Sequence, residues 1–270
     1  METKLIVTYV VCDDVVKNLG IKEDVQVKMN TAEIMTTAIT AAAEYCGNFE
    51  KARVALKNNG AIPDMLSKSQ FNRRLHRIKK ELWEAVLEAL GVEFAKYNVE
   101  NEFMVDSFPV YACKLARQNQ TKLFKNKEFI GYCAAKKEYF IGSFRMFQLD
   151  LPQNARILAD KAYNDYRYED RLIQEKQVYL MPIRKTNSKR KDSEFFKEVR
   201  RRKRRLIETL FSCIERLMPR SIHVVTIAGL ILKTMLFVLA YSFGKHAATP
   251  SGRSFETPTT SALRMNGGKI

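Results

Sequence analysis

Three carboxylates occupy positions from which they could act together. Asp106 and Asp160 each stand at the end of a short apolar run, and Glu208 lies within a long segment of helical periodicity. Carboxylates at the carboxyl ends of neighbouring strands point into the same crevice, and a helix beside that sheet can add a third. Each acid also has an ordinary role open to it. Asp106 could form a turn, Asp160 could cap one, and Glu208 could pair with Arg204 four residues earlier.

Together these acids predict a divalent-metal site, because three carboxylates cannot remain ionised side by side without a cation. Magnesium prefers carboxylate and water oxygens and keeps positions open for phosphate. A pair of such ions can hold the attacking and leaving oxygens of a phosphoryl transfer. We therefore expect Asp106, Asp160 and Glu208 to be catalytic residues and ligands of Mg²⁺, with a pair of ions favoured and Mn²⁺ as a substitute. The sequence offers no P-loop and no G-x-G-x-x-G motif for nucleotide-driven chemistry.

The charge of the chain points to a polyanionic partner. Lysine and arginine total 46 against 30 acids, a net charge of +16, which attracts nucleic acid or an anionic membrane surface. Residues 197–205 contain seven cations and one acid and lead directly into Glu208. Such a run repels itself unless an anion lies across it, and DNA phosphate is a natural partner; a merely solvated helix face is the alternative. The candidate DNA-binding residues here are Lys197, Arg200, Arg201, Arg204 and Arg205.

The first 95 residues are predicted to be helical. Residues 29–45 are rich in Ala, Ile and Met, with Asn30 and Thr31 as candidate caps, and Ser67 can cap a second helix. An apolar stripe at helical spacing follows Ser67, and three arginines lie off it. This pattern fits the second half of a helix-turn-helix or an ordinary amphipathic surface helix. The stripe is Phe71, Leu75, Ile78, Leu82 and Val86, and the candidate DNA-binding arginines are Arg73, Arg74 and Arg77.

After residue 100 the pattern changes to short strands. Four are predicted, at residues 102–106, 131–141, 155–160 and 178–182, with a helix over 166–175 between the last two. A strand, helix, strand order implies a partly parallel sheet and an α/β fold. A long helix is predicted from a cap at Asp192 and Ser193 to about Met218, where Pro219 ends it.

One apolar segment, residues 224–243, is just long enough to span a bilayer. Lys233 near its middle opposes insertion, so the sequence favours a buried helix of a soluble core over a membrane span. The five cysteines are scattered, without C-x-x-C spacing, which indicates a reducing, cytoplasmic compartment rather than a disulfide framework.

Several segments resemble the insertion-sequence DDE transposases, most closely the family numbered nine-eighty-two. Residues 105–110 with 131–137 resemble the first catalytic block of that family, 158–166 the second and 204–212 the third, while 69–74 resembles its N-terminal helical region. The resemblance extends from about residue 29 to 243. Arg204 matches the arginine of the related Tyr-Arg-Glu-Lys signature, but Arg201 and Glu215 stand where that signature has tyrosine and lysine.

The resemblance implies a ribonuclease-H-like mixed sheet with flanking helices, in which Asp106, Asp160 and Glu208 hold the metal. Such enzymes hydrolyse a phosphodiester at the transposon end, and the freed 3′-hydroxyl attacks target DNA. The implied partners are therefore transposon ends and target DNA, bound by a homo-oligomer associated with the cytoplasmic nucleoid. A membrane partner is not expected.

The sequence also departs from the family. Most of a β-hairpin and a further stretch is expected to be absent near residues 142–148, which would leave a sheet edge exposed. Residues 244–270 are rich in Ser, Thr, Pro and Gly and are predicted to be a disordered tail. The predicted organisation is thus a helical DNA-binding region over 1–95, a shortened catalytic domain over 100–243, and the tail. A catalytically inactive DNA-binding remnant and a small protein anchored in a membrane by residues 224–243 remain the alternatives.

Overall fold

The computed structural model describes residues 2–24, 26–106, 130–133, 138–141, 151–184, 187–192, 194–220, 222 and 224–248. Within these residues the protein is a mixed α/β structure that is mostly helical, with a small parallel sheet and a separate antiparallel pair of strands. The elements in chain order are α1 (Glu2–Asn18), α2 (Thr31–Glu44), α3 (Phe49–Asn58), α4 (Lys68–Arg77), α5 (Lys80–Ala95), β1 (Glu102–Val105), β2 (Ile130–Cys133), β3 (Glu138–Ile141), β4 (Arg156–Ala159), α6 (Tyr166–Lys176), β5 (Tyr179–Pro182), α7 (Glu194–Leu217) and α8 (Ile227–Ala248).

Two of the predicted helix caps are confirmed. Asn30 accepts a hydrogen bond of 2.7 Å from the backbone N–H of Glu33, whose carboxylate accepts one from the Asn30 N–H. Ser67 and Gln70 make the same reciprocal arrangement at the start of α4. Each capping box satisfies backbone donors that the first helical turn leaves unpaired, which explains why α2 and α4 begin at these residues.

The predicted apolar stripe does not run along one helix. The backbone leaves the helical conformation at Ile78, where φ is −63° and ψ is 121°, and α5 begins two residues later. Phe71, Leu75, Leu82 and Val86 are nonetheless all buried, because the break redirects the chain without rotating its apolar face outwards. Residues 59–67, which join α3 to α4, exceed the turn of about three or four residues in a helix-turn-helix.

Helix α8 lies within the large helical core. By length and composition it could cross a membrane, but 61% of its apolar window is buried inside the protein. It packs against α1, α2, α5 and α7, and its residues Leu236, Phe237 and Leu239 are at most 1% exposed. The ring of Phe237 lies where a side chain at Gly47 would begin, 3.0 Å from the Cβ position, and Gly47 has a φ of +78°. Gly47 therefore satisfies both a left-handed backbone and a close ring contact.

The hydrophobic clusters divide the molecule differently from the predicted domains. Helices α1–α5 share one cluster with Ile207, Leu210 and Ile214 of α7 and with most of α8. A second, small cluster lies at the sheet and contains Phe103 and Ile157 among its buried members. The segment 100–243 thus does not form one packing unit, because its last helix completes the core of the N-terminal helices. Helix α8 also continues to Ala248, beyond residue 244, where the disordered tail was predicted to begin; residues 249–270 lie outside the described residues.

The three-stranded sheet has the order β1-β4-β5, and both of its pairings are parallel. The strands predicted at 102–106, 155–160 and 178–182 and the helices predicted at 166–175 and from residue 192 to about 218 are confirmed as β1, β4, β5, α6 and α7. The single strand predicted over 131–141 is instead the antiparallel pair β2 and β3, with Ile130 opposite Ile141. Both strands of a hairpin-like pair are therefore present here, whereas the expected shortening at 142–148 and the Ser193 cap lie outside the described residues.

Candidate functional site

Asp106 and Asp160 lie at the same edge of the sheet. Asp106 directly follows β1 and Asp160 directly follows β4, and the last residues of these strands, Val105 and Ala159, are partners in the parallel ladder. Neighbouring strands are about 4.8 Å apart, so the two backbones deliver their aspartates side by side. Both aspartates line one cleft of about 40 Å³, which is room for a few water-sized groups.

Asp160 does not fulfil the capping role that its sequence position allows. It precedes a short 3-10 helix, Lys161–Tyr163, but its side chain makes no capping hydrogen bond to the described backbone of that helix. One structural explanation for an acid at this position is therefore removed. The orientation of Asp160 towards the cleft is the alternative that the geometry favours.

The other wall of the cleft belongs to α7. Arg200, Lys203, Arg204 and the buried Ile207 line it from this helix, opposite Leu158 of β4. The basic helix therefore runs directly past the aspartate pair, which places positive and negative groups in one small volume. Arg204 was predicted to bind DNA, whereas Lys203 was not among the predicted site residues.

Glu208, the third predicted acid, is not brought into the cleft. Its side chain is 58% exposed, and its Oε1 accepts a hydrogen bond of 2.9 Å from Nε of Arg204. Within the described residues no three potential ligands of the Asp, Glu, His and Cys types come together as a metal-binding group. The i, i+4 pair that the sequence allowed for Glu208 is the arrangement observed, so the structure assembles two of the three predicted acids.

Arg204 connects the two parts of the acidic site. It lines the cleft beside Asp106 and Asp160 and also binds Glu208. The pKa of Arg204 is raised above its ordinary value, first by the hydrogen bond to Glu208 and further by the negative charges of Asp160 and Asp106. All three predicted acids thus raise the pKa of one guanidinium.

Arg200, predicted as a DNA-binding residue, is occupied inside the protein. It is 7% exposed, and its guanidinium binds the Asp192 carboxylate, with 3.0 Å between Nη2 and Oδ1. Burial on its own would raise the pKa of Asp192, but the hydrogen bond and the charge of Arg200 outweigh burial and lower it. Because a buried, paired guanidinium is not presented to a phosphate backbone, Arg200 holds α7 to the residues before it instead.

The exposed cations of α7 form a basic face, defined here as Lys197, Arg201, Arg202 and Arg205. Three of these cations form ion pairs with nearby surface acids: Lys197 with Glu194 at 2.6 Å, and Arg201 and Arg202 with Glu198 at 2.8 and 3.3 Å. Such exposed pairs contribute little to stability, so these cations remain available to another anion. Arg202, at 76% exposure the most open of the three paired cations, was not among the predicted residues.

The three arginines of α4 also differ in accessibility. Arg73 and Arg77 are exposed one helical turn apart. Arg74 is half-buried, donates a hydrogen bond to the Met29 carbonyl, and lies 3.9 Å from the Glu23 carboxylate. Arg74 therefore fastens α4 to the connection between α1 and α2. Of the three predicted DNA-binding arginines of α4, Arg73 and Arg77 face solvent.

A buried ion-pair network beside the cleft was not predicted. Glu169 of α6 is 2% exposed and binds Arg184 through both oxygens, at 2.6 and 2.8 Å, and Arg190 at 3.2 Å. Arg184 also donates to Asn164, whose amide in turn donates to the carbonyl of Ile183, a residue of the cleft. Nothing in the sequence distinguishes Glu169 from its exposed neighbour Asp170, because its partners are distant along the chain.

No family model, curated protein or solved structure matches this chain. The resemblance to DDE transposases therefore remains a prediction that rests on the sequence motifs.

Proposed function

We propose that the protein is a DDE-type transposase that cleaves and joins DNA strands with a divalent metal. The observation that carries the proposal is the placement of Asp106 and Asp160 side by side at the ends of two paired parallel strands, next to the basic helix α7. Paired carboxylates beside a phosphate-binding surface are what metal-assisted phosphoryl transfer requires. The proposed partners are transposon ends and target DNA, bound by a homo-oligomer in the cytoplasmic nucleoid.

The arrangement of elements supports the ribonuclease-H-like fold that goes with this function. A parallel β1-β4-β5 sheet, an antiparallel β2-β3 pair between β1 and β4 in sequence, and the flanking helices α6 and α7 are consistent with a mixed sheet of that kind. Among the described residues the β2-β3 pair forms its own sheet, so its connection to β1 is part of the proposal.

The donor set fits Mg²⁺ or Mn²⁺ in two of its three members. The two aspartates offer the carboxylate oxygens that these ions prefer, and the cationic side chains of Arg200, Lys203 and Arg204 line the same cleft. Glu208 lies one helical turn beyond Arg204 on the same helix, and it could join the aspartates only after leaving that partner. Bound metal would supply activation of the attacking oxygen and stabilisation of the leaving oxygen.

The basic residues would bind the DNA. Lys197, Arg201, Arg202 and Arg205 would bind successive phosphates along α7 and hold a strand at the mouth of the aspartate cleft. Arg73 and Arg77 would add a second point of contact with DNA. This contact is electrostatic, so DNA affinity should fall steeply with added salt.

Asp160→Asn tests the proposal. Terminal-repeat DNA of the element that encodes the chain is incubated with the protein and Mg²⁺ or Mn²⁺, and nicking is followed on a gel. Because metal stabilisation amounts to several kcal/mol, we expect cleavage to fall by about a thousandfold or more, with DNA binding unchanged. Asp14→Asn, an exposed aspartate of α1, is the matched control and should cleave normally. Equal cleavage by wild type and Asp160→Asn would end the metal-site proposal.

A second candidate is a catalytically inactive DNA-binding protein descended from a transposase. The observation that favours it is the position of Glu208, which lies outside the cleft and bound to Arg204. The same assay separates the two candidates. Tight binding of terminal-repeat DNA by the wild type, without nicking in Mg²⁺ or Mn²⁺, would support the inactive protein.

A further inference from the structure

Arg204 interacts with the same acidic residues that a metal ion would bind, so the two cations would compete. Arg204 lines the cleft that contains Asp106 and Asp160. Its Nε also donates a hydrogen bond of 2.9 Å to Glu208, which lies outside the cleft. Arg204 is also 55% exposed, so the guanidinium can leave these contacts for an anion in solution without breaking a buried structure.

We propose that Arg204 is an internal counterion that opposes metal binding until a DNA phosphate takes its guanidinium, so that DNA and metal promote each other's binding. This inference rests on the proposed function, because it assumes that the acids bind a divalent ion. It assigns Arg204 a positioning role: the arginine acts through Glu208 and through its own charge, and it does not touch the reacting atoms.

The surroundings of Arg204 favour such an exchange. Arg201 and Arg205 stand on the exposed side of α7, three residues before and one residue after it, so a strand drawn to the basic face comes within reach of the Arg204 side chain. A guanidinium binds phosphate in the same two-pronged geometry as a carboxylate. When Arg204 turns to phosphate, Glu208 loses its partner and the charge of Arg204 moves away from the aspartates, while Arg200 and Lys203 stay at the cleft. Both changes favour a divalent ion.

The size of the effect follows from the exposure of the pair. An exposed arginine–carboxylate pair changes an equilibrium by about two- to fivefold, and removal of the guanidinium should tighten metal binding by that factor. The coupling is reciprocal, because two ligands that shift one equilibrium must affect each other's affinity equally. Metal should therefore tighten DNA binding by the same factor by which DNA tightens metal binding.

The test measures Mn²⁺ affinity by electron paramagnetic resonance of the free ion, with the full chain and no cleavage assay. The variants are Arg204→Gln, the charge-conserving Arg204→Lys, and Arg205→Gln as a matched control that removes an exposed charge from the next residue. We expect Arg204→Gln to bind Mn²⁺ about two- to fivefold more tightly than the wild type. Arg204→Lys and Arg205→Gln should stay close to the wild-type affinity.

Two further measurements of Mn²⁺ affinity test whether Arg204 acts through Glu208 and whether DNA displaces it. In a Glu208→Gln background, Arg204→Gln should change Mn²⁺ affinity less than it does in the wild type. A duplex oligonucleotide of mixed sequence, with its own Mn²⁺ binding subtracted, should tighten Mn²⁺ binding to the wild type and have a smaller effect on Arg204→Gln. Thermal melting confirms that each variant is folded.

The measurements distinguish a failure of the counterion role from a failure of the metal site. If Asp160→Asn abolishes Mn²⁺ binding but Arg204→Gln binds like the wild type, the counterion role is wrong and the metal site stands. If Arg205→Gln tightens binding as much as Arg204→Gln, the effect is the general field of α7 and the specific role is again wrong. If neither the wild type nor any variant binds Mn²⁺, both the inference and the metal site of the proposed function are overturned.

Discussion

The helical core buries mostly apolar side chains, with several threonines and Arg53 among them, whereas the region beside the sheet buries the charged Glu169 and Arg200. Leu236, Phe237 and Leu239 of α8 are at most 1% exposed, while Glu169, packed between Arg184 and Arg190, is 2% exposed. Apolar burial depends on the area removed from water, whereas a buried ion pair depends on its partner and on the protonation of that partner. The helices should therefore be disrupted by changes of side-chain volume, and the surroundings of the cleft by changes of charge.

The largest expected effect is in the helical core. Phe237→Ala removes a ring that packs against Gly47 and the neighbouring helices, and we expect it to lower the free energy of unfolding by about 3–5 kcal/mol. Urea unfolding followed by helical circular dichroism measures the loss. Val92→Ala on α5, where the side chain is 57% exposed, is the control and should change stability by less than about 0.5 kcal/mol. Similar losses in both variants would contradict the importance of the buried Phe237 ring for the helical core.

Charge beside the sheet gives the next largest effect. Glu169→Gln leaves Arg184 and Arg190 without their shared carboxylate, and breaking a buried pair on one side costs about 3 kcal/mol. Asp170→Asn, which removes a 49% exposed partner of the same Arg190, should cost less than about 1 kcal/mol. Hydrogen exchange at β5, measured beside urea unfolding, should quicken only in the first variant. A loss in Asp170→Asn as large as that in Glu169→Gln would mean that burial of the carboxylate does not matter here.

The smallest effect of the series is the pH dependence of the Asp192–Arg200 pair. The pKa of Asp192 is lowered from the ordinary 3.8, so its contribution is fully present above that value and disappears as pH falls through the folded-state pKa. Asp192→Asn should be less stable than the wild type by about 2 kcal/mol near neutral pH. Urea unfolding at a series of pH values should show the two proteins converging below about pH 4. A constant difference across that range would exclude ionisation of Asp192 as the cause.

The sequence predicted features that depend on neighbouring residues. The capping boxes at Asn30 and Ser67 need only residues three positions apart, and the strands that end in Asp106 and Asp160 are marked by their own apolar runs. The burial of α8 also followed from composition, since Lys233 made a membrane span less favourable. In each case the information lies within one or two helical turns of the element that it specifies.

The features that the sequence did not predict depend on distant partners. Arg74 and Arg200 look like the other cations of their helices, but contacts with Met29 and Asp192 remove them from the surface. The helix break at Ile78 does not disturb the apolar spacing, so periodicity alone cannot detect it. The same holds at the candidate site. The strand ends predicted the neighbouring positions of Asp106 and Asp160, but the position of Glu208 outside the cleft, where it binds Arg204, was not predicted.

The position of α8 at the end of the described chain has a consequence for biosynthesis. Its contacts with α1, α2 and α5 join segments that the ribosome makes early and late, with the whole sheet region emerging between them. Helix α2 can pack against α1, α3 and α4 early, but the part of its surface that contacts α8 stays exposed until Ile227 and the residues after it leave the exit tunnel. A nascent chain stalled before that point would expose a hydrophobic surface to chaperones and proteases, because late formation of long-range contacts prolongs the exposure of hydrophobic groups.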